Sequence, residues 1–270
     1  MTPSELVALA SSVDLAVLAI TDHDTIDGLA EAMAAADGTG VEVWTGVEIS
    51  ADVPTTEVHI LGYFVDRADS ELMDVLGRLR EGRIDRARGI VKRLAELGVR
   101  ISYERVLELA ATGAVGRPHI AQAMLEAGYV SEFREAFDRY LGRNGPAYVE
   151  RYKLSPVEAV ELIRRAGGLA VLAHPGYIGA ETGPVSARYT EFLPELLEAG
   201  LGGIEAYYPG FAPEFVREIV AVAEQHSLIA TGGTDFHSFA TSRAMLGEID
   251  VPSSTIEAMR AWRDGRQLRR

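Results

Sequence analysis

An α/β fold, either a parallel barrel or a doubly wound sheet interrupted by helices, follows from three features of this 270-residue chain. Short apolar runs alternate with helical patterns at both ends of the sequence, the rhythm of βαβα units. Three of those runs lead to histidine and carboxylate: residues 15–20 before Thr21-Asp22-His23-Asp24, 169–173 before His174-Pro175-Gly176, and 228–230 before Thr234-Asp235-Phe236-His237. A parallel α/β barrel gives this arrangement when its strand ends converge on a metal site. Between about 66 and 149 the pattern is helical throughout, so the chain divides into 1–65 with 150–270 as one α/β domain and 66–149 as an inserted helical subdomain.

Each element has its own warrant. Thr2-Pro3-Ser4-Glu5 reads as a helix start, with Thr at the N-cap, Pro in the first helical position and Glu closing a capping box. Residues 15–20 form a buried strand, and a helix runs from Thr25 to near Gly38. A strand over 41–44 leads into Gly46-Val47-Glu48-Ile49-Ser50, and another over 58–64 carries His59. From Asp69, Leu72, Val75, Leu76, Leu79, Ala87, Ile90, Val91, Leu94 and Leu97 keep a 3–4 spacing that predicts one long or broken helix. Helices follow at 103–111, 118–127 and 132–141. Ser155-Pro156-Val157-Glu158 is a second capping box, opening a helix that ends at Gly167-Gly168 before the strand 169–173. A helix over 190–199, a strand over 203–207, a helix over 213–225 and a strand over 228–231 complete the pattern, and the basic residues 266–270 are left unassigned.

The composition narrows the chemistry. Lys and Arg total 26 against 40 Asp and Glu, a formal charge of −14, which argues against electrostatic binding of long duplexes. A small phosphorylated ligand is still compatible, since metals and one or two Arg can meet its charge locally. With no cysteine, any metal must be held by imidazole and carboxylate. The absence of cysteine fits a cytoplasmic protein. No apolar run approaches the ~18 residues of a membrane span, and residues 1–5 lack the basic start of a signal peptide.

Of six histidines, His23, His59, His174 and His237 lie within or just past the end of an expected strand, with Asp22, Asp24, Glu48, Glu205 and Asp235 in similar places. Imidazole with carboxylate suits Mn, Fe or Zn in a multinuclear hydrolytic site. Each residue also has a plain reading. A lone strand-end His is commonly a hydrogen-bonded structural residue, Asp24 or Thr25 can cap the following helix, and Glu205 can be solvated or ion-paired. Recurrence at the ends of separate strands favours metal for the group. Gly116-Arg117-Pro118-His119 is the other candidate, a Pro-led helix start with a guanidinium fork suited to phosphate. It reads equally as an ordinary helix start with a surface Arg.

These residues resemble the polymerase-and-histidinol-phosphatase (PHP) superfamily of metal-dependent phosphoesterases. The resemblance spans nearly the whole chain, through residues 20–25, Gly46-Val47-Glu48-Ile49-Ser50, Val58-His59-Ile60-Leu61-Gly62-Tyr63, Gly116-Arg117-Pro118-His119, Ala173-His174-Pro175-Gly176, Gly203-Ile204-Glu205-Ala206-Tyr207 and Thr234-Asp235-Phe236-His237. It is nearest the bacterial branch of nucleoside 3′,5′-bisphosphate phosphatases and 5′-to-3′ exonucleases acting on short RNA. That branch implies a distorted seven-stranded β/α barrel with a helical insertion and up to three Mn2+-type ions, with Zn2+ or Fe2+ as alternatives. It implies His23, Glu48, His59, His174, Asp235 and His237 as metal ligands, Arg117 and His119 as phosphate contacts, and catalytic parts for His237 and Asp24, the latter behind the ligands or as a proton carrier. The family pattern also opens with a strand bearing Asp-Leu-His-x-His ahead of Thr-Pro-x-Glu-Leu. Here Met1 directly precedes Thr2-Pro3-Ser4-Glu5-Leu6, and no His-x-His occurs in the sequence. A start codon assigned too late is the preferred explanation, ahead of a degenerate enzyme.

The expected activity is hydrolysis of a phosphomonoester by metal-activated hydroxide, on a small nucleotide with a terminal phosphate or on the 5′ end of short RNA. Two other classes compete with it. One is an inactive metal-binding remnant or interaction module, and the other is a metal-dependent amidohydrolase on a similar barrel.

Overall fold

The computed structural model describes residues 1–53, 56–110, 113–178, 189–237, 242 and 244–267. Among the described residues, six strands lie in the sheet in chain order: β1 (Val17–Ile20), β2 (Glu42–Val53), β3 (Thr56–Tyr63), β4 (Leu169–Leu172), β5 (Gly203–Tyr207) and β6 (Ile229–Gly232). The pairs β1/β2, β4/β5 and β5/β6 are parallel, whereas β3 runs antiparallel to both β2 and β4. The expected parallel sheet is therefore corrected at β3. Only residues 54 and 55 separate it from β2, and a parallel neighbour needs a crossover of a dozen or more. β2 is also far longer than the strand expected over 41–44, because Gly46 to Ser50 continue it.

The sheet curls into a half-barrel. His23, just past β1, and His237, just past β6, belong to its two edges, yet their rings are 5.4 Å apart. Alternation along each strand gives the two faces different work. The convex face sends Ile20, Ile49, Ile60, Leu172 and Ile204 into the main core, beneath α1 (Pro3–Ser12), α2 (Leu29–Ala35), α7 (Pro156–Arg165), α8 (Leu193–Ala199) and α9 (Pro213–Gln225). The concave face has an apolar floor of Trp44, Leu61, Tyr63, Leu169 and Val171, closed by Met259 and Trp262 of α10 (Ser253–Gln267). Further along the same faces the side chains become Glu48, Ser50 and His59. Both expected capping boxes form, Thr2 with Glu5 and Ser155 with Glu158. Sequence reasoning missed α10, although Ile256, Met259 and Trp262 repeat every three residues.

The segment between β3 and β4 holds α3 (Ser70–Glu96), α4 (Tyr103–Ala110), α5 (Arg117–Glu126) and α6 (Phe133–Ala136), the last running into a π-helical turn over Phe137–Leu141. α3 is one unbroken helix, started by Asp69, whose side chain accepts from the Leu72 N–H at 2.8 Å. Its first half (Leu72, Val75, Leu76, Leu79) joins the main core. Its second half (Ala87, Ile90, Leu94) joins a separate apolar cluster with Val106, Ile120, Met124 and Leu141. One helix thus ties the two clusters together.

Candidate metal centre

Glu48 is the hub. It is 3% exposed; burial alone would raise its carboxyl, but the surrounding imidazoles, with hydrogen bonds to His174 and His59, hold it well below the usual range, so it is ionised. The β1/β2 ladder runs past β1: the Asp24 N–H donates to Glu48 O at 2.9 Å and the Glu48 N–H to Asp22 O at 3.0 Å, which sets His23 beside Glu48. On β3, His59 faces Ser50 and Leu61 faces Glu48, so Glu48 and His59 are diagonal neighbours on one face. The Ala173 N–H donates to His59 O at 3.0 Å and brings His174 alongside.

The resulting geometry is a triangle. Glu48 Oε1 lies 2.7 Å from His59 Nδ1 and 3.1 Å from His174 Nε2, and the two nitrogens are 3.2 Å apart. Bonds of ~2.0–2.1 Å in a tetrahedral shell place neighbouring ligand atoms about 3.3 Å apart. His23 Nδ1 is 3.4 Å from Glu48 Oε2 and is buried without a hydrogen-bond partner among the described residues. Donor atoms of His23, Glu48 and His59 all fall within 4.8 Å of one another. An orphaned imidazole nitrogen beside a compact cluster of imidazole nitrogens and carboxylate oxygens, with a cation able to take the place of the shared protons, fits a divalent ion. Burial pushes His23 down to about 3 against the pull of Glu48, so it offers a neutral ring. His174 is raised to about 9, because Glu48, Glu205 and Asp235 together outweigh its burial.

Strained backbone occurs at three of these positions. Asp24, His174 and Asp235 all have positive φ (55°, 25° and 48°), a conformation non-glycine residues adopt at a cost and one that clusters at functional sites. The His174 N–H donates to Glu205 Oε2 at 2.7 Å. Burial, together with the Asp235 and Glu48 carboxylates, pushes Glu205 up to about 8 against the pull of His174. The Tyr208 hydroxyl donates to Asp235 Oδ2 at 2.7 Å. His237 is half exposed, with Nδ1 at 2.9 Å from its neighbour's carbonyl, Asp235 O. Partial burial would lower its pKa, but the Asp235 carboxylate and carbonyl raise it.

The remaining sequence candidates sit apart from the imidazoles. Asp24 is 1% exposed: Oδ1 accepts from the Ser50 N–H at 2.9 Å, and Oδ2 from Arg83 Nε at 2.6 Å with Arg151 at 3.5 Å. Arg117, 8% exposed, donates to Glu57 Oε2 at 3.2 Å and to Leu141 O at 3.4 Å. Lys153 also donates to Glu57, at 2.6 Å, and Arg117 with Lys153 holds that carboxyl well below its usual range although burial would raise it. His119 accepts the Gly116 N–H through Nδ1 at 3.1 Å. Burial lowers its pKa, and the charges of Arg83 and His237 lower it further. Sequence reasoning missed Arg83 and Arg151 and left Glu205 outside the site. The signal for Arg83 was a stripe, Arg80, Arg83 and Arg86, at three-residue spacing on α3.

A carboxylate ringed by imidazoles at one end of a curled α/β sheet defines a metal-dependent hydrolase. No family model matches the chain. A 3′,5′-nucleoside bisphosphate phosphatase of Chromobacterium violaceum is 34% identical over 239 residues, covering 88% of this chain and 82% of that protein. The 5′-3′ exoribonuclease Rnm of Escherichia coli strain K12 is 33% identical over 240 residues, covering 88% and 80%. Among solved structures, a metal-dependent phosphoesterase of Bifidobacterium adolescentis aligns with a TM-score of 0.85 and 29% identity, over 96% of this chain and 90% of that one. An amidohydrolase of Chromobacterium violaceum, solved with bound sulfate and no metal, aligns with a TM-score of 0.83 and 31% identity, over 96% and 92%. The chain belongs to the PHP superfamily of metal-dependent phosphoesterases, in the branch of nucleoside bisphosphate phosphatases and 5′-3′ exoribonucleases.

Proposed function

We propose that this chain hydrolyses phosphomonoesters of small nucleotides, nucleoside 3′,5′-bisphosphates above all, or the 5′ end of short RNA. The observation that carries the reading is the triangle of Glu48 Oε1, His59 Nδ1 and His174 Nε2 beside the orphaned His23 Nδ1. His23, Glu48, His59, His174, Asp235 and His237 are the proposed ligands, for Mn2+ first and Zn2+ or Fe2+ as alternatives. Divalent ions there would lower the pKa of a bound water and neutralise phosphate oxygens. The chain's own groups orient and exclude. Tyr208 fixes the Asp235 carboxylate, and Glu205 fixes the backbone of His174. His237, half exposed, would exchange a proton with the substrate. Arg117 and His119 serve the phosphate side, Arg117 from a guanidinium already bridged to Glu57. Asp24 acts by positioning Arg83 and the Ser50 backbone.

The same reading takes 66–149 as an inserted helical subdomain on a barrel formed by 1–65 and 150–270, of the seven-stranded family plan. The separate apolar cluster of α3 to α6 supports it. The deciding experiment is phosphate release from adenosine 3′,5′-bisphosphate and from a 5′-phosphorylated oligoribonucleotide with Mn2+, beside ammonia release from an amide panel. Phosphate release alone supports the proposal. Ammonia release alone moves the chain to the amidohydrolase reading, and neither product makes it a binding module.

A further inference from the structure

Arg83 is the cation that sequence reasoning passed over. It reaches from α3 across to β2, is 11% exposed on its side chain, and is clamped at two points. Nε donates to Asp24 Oδ2 at 2.6 Å and one terminal nitrogen, Nη2, to Ser50 Oγ at 2.7 Å. Asp24 is itself immobilised by the Ser50 N–H, so the clamp is rigid. The other terminal nitrogen, Nη1, makes no hydrogen bond among the described residues and lies toward Gly116, where an added Cβ would stand 3.5 Å from it. Its contacts with Asp24 and Ser50 on one side and Gly116 on the other place Arg83 between the end of the β1/β2 ladder and the start of α5.

Its surroundings add to its pull on anions. Arg86 and Arg151 are buried nearby, with three nitrogens (Arg86 Nε and Nη2, Arg151 Nε) lacking hydrogen-bond partners among the described residues. Arg117, by contrast, already has Glu57 as its partner. A guanidinium with two donors fixed and its outer edge open is preorganised for a phosphate oxygen.

We propose that Arg83 is a phosphate-binding residue of this site, held in place by Asp24 and Ser50, with its free Nη1 edge directed at a phosphoryl group of the substrate. The inference rests on the phosphoesterase reading for its substrate class, but its test needs no turnover. The probe is inorganic phosphate, titrated calorimetrically into the full chain, both after chelator treatment and after loading with Mn2+. Arg83→Lys keeps the charge and loses the fork, and should weaken phosphate binding about tenfold or more in both states. Ser50→Ala removes only one clamp and should weaken binding by a smaller factor. In Arg83→Gly, added guanidinium ion at millimolar concentration should restore part of the binding, which a purely structural Arg83 would not allow. Phosphate affinity within twofold of the parent in both Arg83→Lys and Ser50→Ala, at parental melting temperature, overturns the proposal. If Arg83→Lys melts early, Ser50→Ala and the guanidinium rescue decide it. Loss of turnover with phosphate binding intact in the parent would count against the phosphoesterase reading and leave Arg83 standing.

Discussion

Replacing Glu48 by Gln tests the centre at its hub. The two side chains share a shape, so the 3% exposed site keeps its packing while losing its negative charge. In the parent, one carboxylate oxygen sits 2.7 Å from His59 Nδ1 and 3.1 Å from His174 Nε2, and the other lies 3.4 Å from His23 Nδ1. A cation seated on this triangle would take its anionic donor from Glu48. Altering a group one layer behind a metal ligand already costs ~10–100-fold in metal affinity. Removing the charged donor itself should cost about 100-fold or more, ~2.7 kcal/mol. The assay is Mn2+ titration followed by electron paramagnetic resonance of the free ion, with far-UV circular dichroism as a control for folding. Mn2+ affinity within threefold of the parent in a folded Glu48→Gln protein would refute the assignment of the triangle as a metal seat.

Arg117→Ala should raise KM for phosphorylated substrates, and unchanged steady-state kinetics would remove Arg117 from the substrate side. Gly46→Ala should destabilise the chain by about 1–3 kcal/mol, because its Cβ would stand 2.9 Å from Ile20 O and 3.2 Å from Gly62 O; a melting temperature lowered by roughly 5 °C is expected. Ser155→Ala should cost about 1 kcal/mol by removing the cap that accepts the Glu158 N–H at 3.2 Å, read by urea denaturation. Glu42 is lowered to about 2: burial would raise it, but hydrogen bonds from Arg263, Trp44 and Arg260 outweigh that. Its folded pKa is below its unfolded value, so its stabilisation is present above pH ~4.5 and fades as pH falls toward ~2. The melting-temperature gap between the parent and Glu42→Gln should therefore be visible at pH 6 and close by pH 2.

Much of the architecture was legible because it is local. Thr2 with Glu5 and Ser155 with Glu158 announce helix starts through bonds spanning three residues, and the apolar spacing from Leu72 to Leu94 announces α3. The four strand-end histidines were visible through their shared position after apolar runs. β3 was misread in direction because strand orientation depends on the length of its connection rather than on its own residues. Arg83 was missed for a related reason: its partners Asp24 and Ser50 lie 59 and 33 residues away. Sequence reasoning placed Arg117 correctly at the start of α5, but whether its guanidinium faces substrate or Glu57 depends on how α5 sits against β3.

The sequence by itself determined the family and the donor chemistry, imidazole and carboxylate without thiolate, because residue types and short spacings carry that information. Only the tertiary structure decided that Glu48 is the hub, that the edges of the sheet bring His23 to His237, and that Asp24 is occupied by arginines. The curl of the sheet sets those distances, and curl is a property of strands paired across long stretches of chain.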